Sequence, residues 1–229
     1  MLRCTTDKYE RLYARWLSNS IQLLEWGGPV VTYRTRVLDL CGGTGIVARQ
    51  AKFVGAGSVH LLDLNPRCQT PGVVLHRGRA EEADRILADE APFDVIICRQ
   101  AVGYLEPSEA FRAVGAILAP GGRFVFNTFL EPRWRLQTYN YHGVRFLEAS
   151  GYWGKHVFHL QASPRIGADV THFRYHTKHE LITALLEAGF GVKIHERGRS
   201  IRFLCHHKAE SERIRGLRKQ AKSVSFGSL

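Results

Sequence analysis

Two apolar runs in this chain each stop at a carboxylate. Val37-Leu38-Asp39-Leu40 passes directly into Cys41-Gly42-Gly43-Thr44-Gly45, and Val59-His60-Leu61-Leu62 closes on Asp63. Short apolar runs bounded by turn residues are the signature of buried strands, so strands are predicted over 36–40 and 58–63. A helix from about Gly45 to Phe53 joins them. Further strands are predicted at 73–76, 94–98 and 123–129. Between these lie a helix over 81–88 and another running to Leu118, with Ser108 as its N-cap and Glu109 in its first turn. Lys178 to Glu187 reads as a helix ended by Gly189, a good C′ residue. Strands over 192–196 and 200–206, connected at Gly198, complete the series. Upstream, Tyr9, Leu12, Tyr13, Trp16, Leu17, Ile21 and Leu24 recur at three- and four-residue spacing, which predicts a helix over 7–26 ending at Gly27-Gly28-Pro29. Alternating strands and helices that finish in a hairpin describe an α/β protein, a doubly wound, seven-stranded, Rossmann-like mixed sheet with an antiparallel terminal strand.

The interval 131–176 breaks this alternation. It is dense in aromatic residues and histidine, from Trp134 and Tyr139 through Tyr152, Trp153, His156 and His159 to Tyr175 and His176. Strand character recurs at 144–148, 155–162 and 168–175, which predicts an inserted antiparallel β cover. His156 and His159 are poorly spaced for joint metal ligation in such a strand.

A length of 229 residues and an apolar fraction of 45% fit one domain with a full core. No leader-like apolar region and no run near the roughly 20 apolar residues of a membrane span is visible, so cytoplasmic residence is expected. The five cysteines, at 4, 41, 68, 98 and 205, contain no C-x-x-C pair. Neither a disulfide framework nor a structural zinc site is expected from them. A net charge of +11 favours anionic partners on electrostatic grounds. Its densest block is Lys208, Arg213, Arg215, Arg218, Lys219 and Lys222, opposed by Glu210 and Glu212. The chain therefore divides into one domain over 1–206 and a basic helix or solvated tail over 207–229.

The strand-ending acids carry the chemistry. A tight glycine turn between two such strands is the binding edge for an adenosine-bearing cofactor. Gly43-Thr44-Gly45-Ile46-Val47-Ala48 satisfies G-x-G-x-x-A, yet an extra carboxylate at Asp39 would repel a pyrophosphate. There is also no second domain for a hydride acceptor and no Tyr-x-x-x-Lys pair. Asp39 suits instead a cofactor with a cationic amino-acid end, as in S-adenosylmethionine.

This arrangement resembles motif I of the class I S-adenosylmethionine-dependent methyltransferases, of the small-molecule, natural-product or UbiE/UbiG-like type. Gly78-Arg79-Ala80-Glu81 resembles the family's adenine-contacting turn. Phe93 to Cys98 resembles its fourth strand, and Leu118-Ala119-Pro120-Gly121-Gly122 its turn into strand five. The resemblance implies roles. Asp39 holds the methionine amino group, directly or through water; Gly43 and Gly45 shape the turn; Asp63 accepts from the ribose hydroxyls. Leu64 packs on the adenine, the Ala80 backbone and Glu81 read its edge, and Cys98 and Gln100 flank the methionine portion. Cys41 and Arg79 depart from the family's usual glycine and aspartate. The cofactor is then S-adenosylmethionine, with S-adenosylhomocysteine as product. The helix over 7–26 folds over the cofactor, and the insertion covers the acceptor.

Methyl transfer needs a base only when the acceptor is protonated at working pH. The candidates by location are Tyr13, Tyr104, Tyr141, His142, His172 and His176. An aromatic insertion favours a small-molecule acceptor with an apolar or planar part, methylated on nitrogen or oxygen. RNA methylation, with the tail drawing in phosphates and aromatics stacking a flipped base, is the alternative. A non-catalytic cofactor-binding partner protein is a third reading. The sequence leaves monomer and homodimer open.

Overall fold

The structure, a computed structural model, describes residues 28, 30–129, 135–141, 144–153, 156–163, 167–173, 176–197 and 200–208, with the backbone alone described within 135–173. The predicted N-terminal helix over 7–26, including Tyr13, and the tail beyond Lys208 lie outside the described residues.

The chain opens into β1 (Arg36–Leu40), α1 (Ile46–Phe53), β2 (Ser58–Asp63) and β3 (Val73–Arg77), followed by α2 (Ala83–Ile86) and β4 (Phe93–Arg99). Next come α3 (Pro107–Ile117) and β5 (Leu118–Phe129). An antiparallel sheet then follows in chain order, β6 (Arg135–Tyr141), β7 (Val144–Trp153), β8 (His156–Ser163) and β9 (Gly167–Phe173). Helix α4 (Lys178–Glu187) leads to β10 (Phe190–Arg197) and β11 (Ser200–His207), which rejoin the first sheet. That sheet has the order β10-β11-β5-β4-β1-β2-β3, with β1 to β5 parallel and β11 antiparallel to both neighbours. This is the mixed seven-stranded sheet predicted from the alternation.

Side-chain alternation sends successive residues of each strand to opposite faces. Leu38, Leu40, Ile96, Phe124 and Phe126 meet Phe111 and Val114 of α3 and Leu181 and Leu185 of α4. Val37, Val59, Leu61, Val95 and Ile97 meet Val47, Ala48 and Ala51 of α1. Covered on both faces, the central strands read as nearly unbroken apolar runs. An aromatic row anchors the first face, with Phe126 stacked on Phe203 at 4.5 Å and on Phe111 at 5.3 Å between ring centroids. Each fully buried phenylalanine contributes roughly 1.5–3 kcal/mol.

Three local expectations differ from the structure. Ser108 does not cap α3: Pro107 occupies the first turn and Glu106 precedes it with no side-chain cap bond. Proline is pre-shaped for that first position and its missing N–H costs nothing there. The helix predicted over 81–88 divides into a 3-10 turn, Ala80–Glu82, and the short α2. The inserted sheet also has one strand more than its alternation predicted, β6.

Candidate functional site

The carboxyl ends of β1, β2, β4 and β5 converge where strand order reverses, with β1 leading outward to β2 and β4 leading the other way. Open α/β sheets bind ligands at such a switch point. Asp39 shares the α1 face with Val37, so its side chain runs beneath the turn that follows it. Its Oδ2 accepts a hydrogen bond from the Ala48 backbone N–H at 2.9 Å, and the residue is only 1% exposed. A Cβ at Gly42 would stand 2.6 Å from the Asp39 carboxyl carbon, so glycine there makes room for the acid. Burial is the main influence on Asp39 and pushes its pKa up to about 7. The Ala48 N–H and the Arg99 guanidinium oppose that rise, while Asp63 reinforces it.

The turn needs left-handed backbone. Gly43 has φ +53° and Gly45 has φ +76°. They differ in what surrounds them: a Cβ at Gly45 would strike Cys68 Sγ at 2.3 Å, whereas one at Gly43 would enter open space. Cys41 and Gln100 also hold positive φ, each at +57°, although neither is glycine. The Cys41 thiol is hydrogen-bonded to the Cys98 thiol, and this contact together with burial raises its pKa well above the usual range. The Cys41 thiol thus stays protonated and serves as a packing group against Cys98.

Asp63 spans the turn from the other side. Its Oδ2 accepts from Gly43 N–H at 3.0 Å and its Oδ1 from Asn65 N–H at 2.8 Å. Leu64 beside it is 67% exposed, an apolar platform at the rim instead of a core residue. Ala80 is buried, and Glu81 Oε1 accepts from Glu106 N–H at 3.0 Å while lying 3.4 Å from Arg79. Glu81 therefore ties the turn after β3 to the start of α3. Cys98 is fully buried at the end of β4, and the Gln100 N–H donates to the Asn127 carbonyl at 3.0 Å.

Of the residues expected to face the acceptor, Tyr104 is exposed at the end of the 3-10 turn Val102–Tyr104, against which β9 runs. His176 is buried just before α4. Tyr141 ends β6 and His172 lies on β9, with only their backbones described, and His142 lies outside the described residues. Two further residues belong to this edge although the sequence motifs do not single them out for it. Arg99 closes β4 and influences Asp39, and Asn127, opposite it on β5, keeps a buried Oδ1 with no hydrogen-bond partner among the described residues. The available signal was a lone amide within the apolar run Phe124-Val125-Phe126-Asn127. Among the described residues, no helix is long and apolar enough to cross a membrane.

Residues 7–193 match the model of a family described as "Methyltransferase domain". A ubiquinone/menaquinone biosynthesis C-methyltransferase, UbiE, of Pseudomonas entomophila is 31% identical over 170 residues, covering 68% of this chain. The chain spans 64% of the length of that relative. Among solved structures, Streptomyces venezuelae DesVI superposes with a TM-score of 0.61 at 19% identity, over 88% of this chain and 93% of that one. An amino pentose methyltransferase from Micromonospora echinaspora, solved with S-adenosylmethionine bound, gives a TM-score of 0.61 at 21% identity, over 89% and 92%. These likenesses, with a sheet and glycine turn built in the family's order, show that the chain belongs to the class I S-adenosylmethionine-dependent methyltransferase family.

Proposed function

We propose that the chain transfers a methyl group from S-adenosylmethionine to a nitrogen or oxygen atom of a small-molecule acceptor. The observation that carries this reading is the pair of carboxylates, Asp39 and Asp63, flanking one glycine turn at the switch point of the sheet. The chemistry of that donor set fits the cofactor. A buried acid suits an ammonium group, a rim acid suits a ribose diol, Leu64 offers an apolar shelf, and the open side of Gly43 leaves room for close approach. Bound there, the cofactor supplies a methyl group already activated on a sulfonium centre.

The chain's own work is binding, placement and proton removal. Asp39 holds the amino group with help from the ordered turn. Asp63 exchanges its hold on Gly43 N–H for the ribose hydroxyls, and Ala80 and Glu81 border the base. Cys98 and Gln100 line the methionine side. The insertion brings an aromatic cover over the acceptor and excludes water, so that the acceptor atom meets the methyl group at near-attack distance. Of the candidate imidazoles, His176, buried just before α4, would take the proton, and the exposed Tyr104 would border the entrance. Tyr13, Tyr141, His142 and His172 complete the set from the N-terminal and inserted covers. In this reading residues 1–206 form one domain, cytoplasmic, working as a monomer or homodimer, with 207–229 as an appended basic tail.

Calorimetric titration with S-adenosylmethionine tests the reading. Wild type should bind saturably, and Asp39→Ala and Asp63→Ala should each weaken binding by about tenfold or more, equivalent to 1.4 kcal/mol. Mass-spectrometric screening of amine and phenol acceptors then follows the transferred methyl. Folded protein that binds NAD and not S-adenosylmethionine would overturn the assignment.

A further inference from the structure

A second cluster of polar groups sits at the β2–β3 edge, toward the amino ends of β1 and β4 and away from the glycine turn. His60, in the middle of β2, is 2% exposed and packs edge-on to Phe93 at 5.1 Å between ring centroids. Its Nδ1 lies 3.0 Å from Nε2 of His76 on β3, with the two rings nearly parallel. Its Nε2 lies 2.8 Å from Ser58 Oγ and 3.8 Å from the Glu90 carboxylate. His60, His76 and Glu90 each bring one ligand atom within 4.8 Å of the other two.

We propose that His60, His76 and Glu90 form a binding site for a divalent transition metal of the zinc class, remote from the cofactor edge. Two imidazoles and one carboxylate are a common ligand set for zinc, leaving a fourth position for water. Two nitrogens bound at about 2.0–2.1 Å in a tetrahedron stand about 3.3 Å apart. The 3.0 Å between His60 and His76 is a few tenths of an ångström short of that, so a metal can replace the proton they share with little movement. Ser58 supplies the outer contact that metal-bound imidazoles ordinarily make: with Nδ1 on the metal, the Nε2–H donates to Ser58 Oγ and fixes the ring. Glu90, its side chain 40% exposed, already stands 3.8 Å from the His60 ring, and binding requires it to swing toward the metal. Its competing cation, Arg36, holds the Glu90 backbone carbonyl but stands 4.0 Å from the carboxylate, so the carboxylate is only loosely engaged. The half-buried His76 and Glu90 leave an entry path from solvent. None of these groups serves methyl transfer in the reading above, so the site stands or falls independently of it.

The test titrates metal-free full-length protein with zinc chloride by calorimetry and with cobalt(II) by visible absorption. One site should saturate at micromolar metal or below, with cobalt bands of tetrahedral nitrogen–oxygen ligation. His76→Gln and Glu90→Gln should each lose this binding by about tenfold or more. Far-UV circular dichroism and S-adenosylhomocysteine binding should stay as in wild type. Absence of saturable binding at about 100 μM metal would overturn the proposal. So would undiminished binding in both variants, which would place the metal on other histidines or cysteines.

Discussion

Asp39 is a carboxylate kept in a place that disfavours its charge, and this has a consequence in pH. Burial raises its pKa to about 7, well above the ordinary carboxylate range, so protonation stabilises the cofactor-free fold. Stability from this source is fully present below about pH 4 and is lost as pH rises through 7. Asp39→Asn removes the titration while keeping an acceptor for Ala48 N–H. Melting curves of the cofactor-free variant should therefore fall less between pH 5 and 8 than those of wild type. A difference of about 2 kcal/mol, roughly 5 °C, is expected at the upper end. Binding acts in the opposite direction. A cationic amino group against Asp39 favours the ionised acid, so binding at pH 7 should release a proton and tighten as pH rises from 6 to 8. Calorimetry in buffers of different ionisation enthalpy reads the proton directly. Equal heats in all buffers would place the ammonium elsewhere.

Helix α4 shows how an element can be legible to its ends while its neighbour is not. The segment Lys178–Glu187 forms where its sequence predicts, because Thr177 and Glu180 close a capping box and Gly189 turns out of the helix at φ +81°. Thr177 N–H donates to Glu180 Oε2 at 2.8 Å, and Glu180 N–H donates back to Thr177 Oγ1 at 3.1 Å. Thr177→Ala should cost about 1 kcal/mol, or some 2–4 °C in melting temperature, and leave cofactor affinity unchanged. Because His176 directly precedes the cap, turnover should fall further than stability requires. A stability loss with wild-type turnover would remove His176 from the acceptor side. Strands β1 and β2 were equally legible, since burial on both faces writes itself as unbroken apolar runs ending in acids. Helix α3 was misread at its start because serine and proline are adjacent, and proline's fixed backbone prevailed over serine's capping preference. Glu81 could be located but its partner could not. Its bond to Glu106 N–H joins residues 25 apart in the chain, which local pattern does not encode. The His60–His76 pair was hidden for a related reason. Each histidine looks like a stray polar residue in its own strand, and only parallel pairing of β2 with β3, His60 opposite Val74 and His76 opposite Leu62, makes them diagonal neighbours whose rings meet.

At the scale of the whole molecule, the charge of +11 is the property that the catalytic reading uses least. Six basic residues between Lys208 and Lys222 face only two acids there, just beyond the end of β11 at His207. Among the described residues, β11 pairs with β5 as far as Cys205 and with β10 as far as His207. A chain ending after Lys208 should accordingly keep its fold and its S-adenosylmethionine affinity. If the acceptor is a small molecule, transfer should also persist within about threefold, because no phosphate backbone needs to be attracted. An RNA acceptor predicts otherwise. Contacts between the tail and phosphates would make binding fall steeply with salt, and truncation would lower transfer by more than about tenfold, or 1.4 kcal/mol. Measuring transfer by full-length and truncated protein at two salt concentrations separates the cases. Salt-insensitive, tail-independent turnover would locate acceptor selection in the proposed cover between β5 and α4. Joint sensitivity to salt and truncation moves it to the basic surface, and the proposed acceptor class with it.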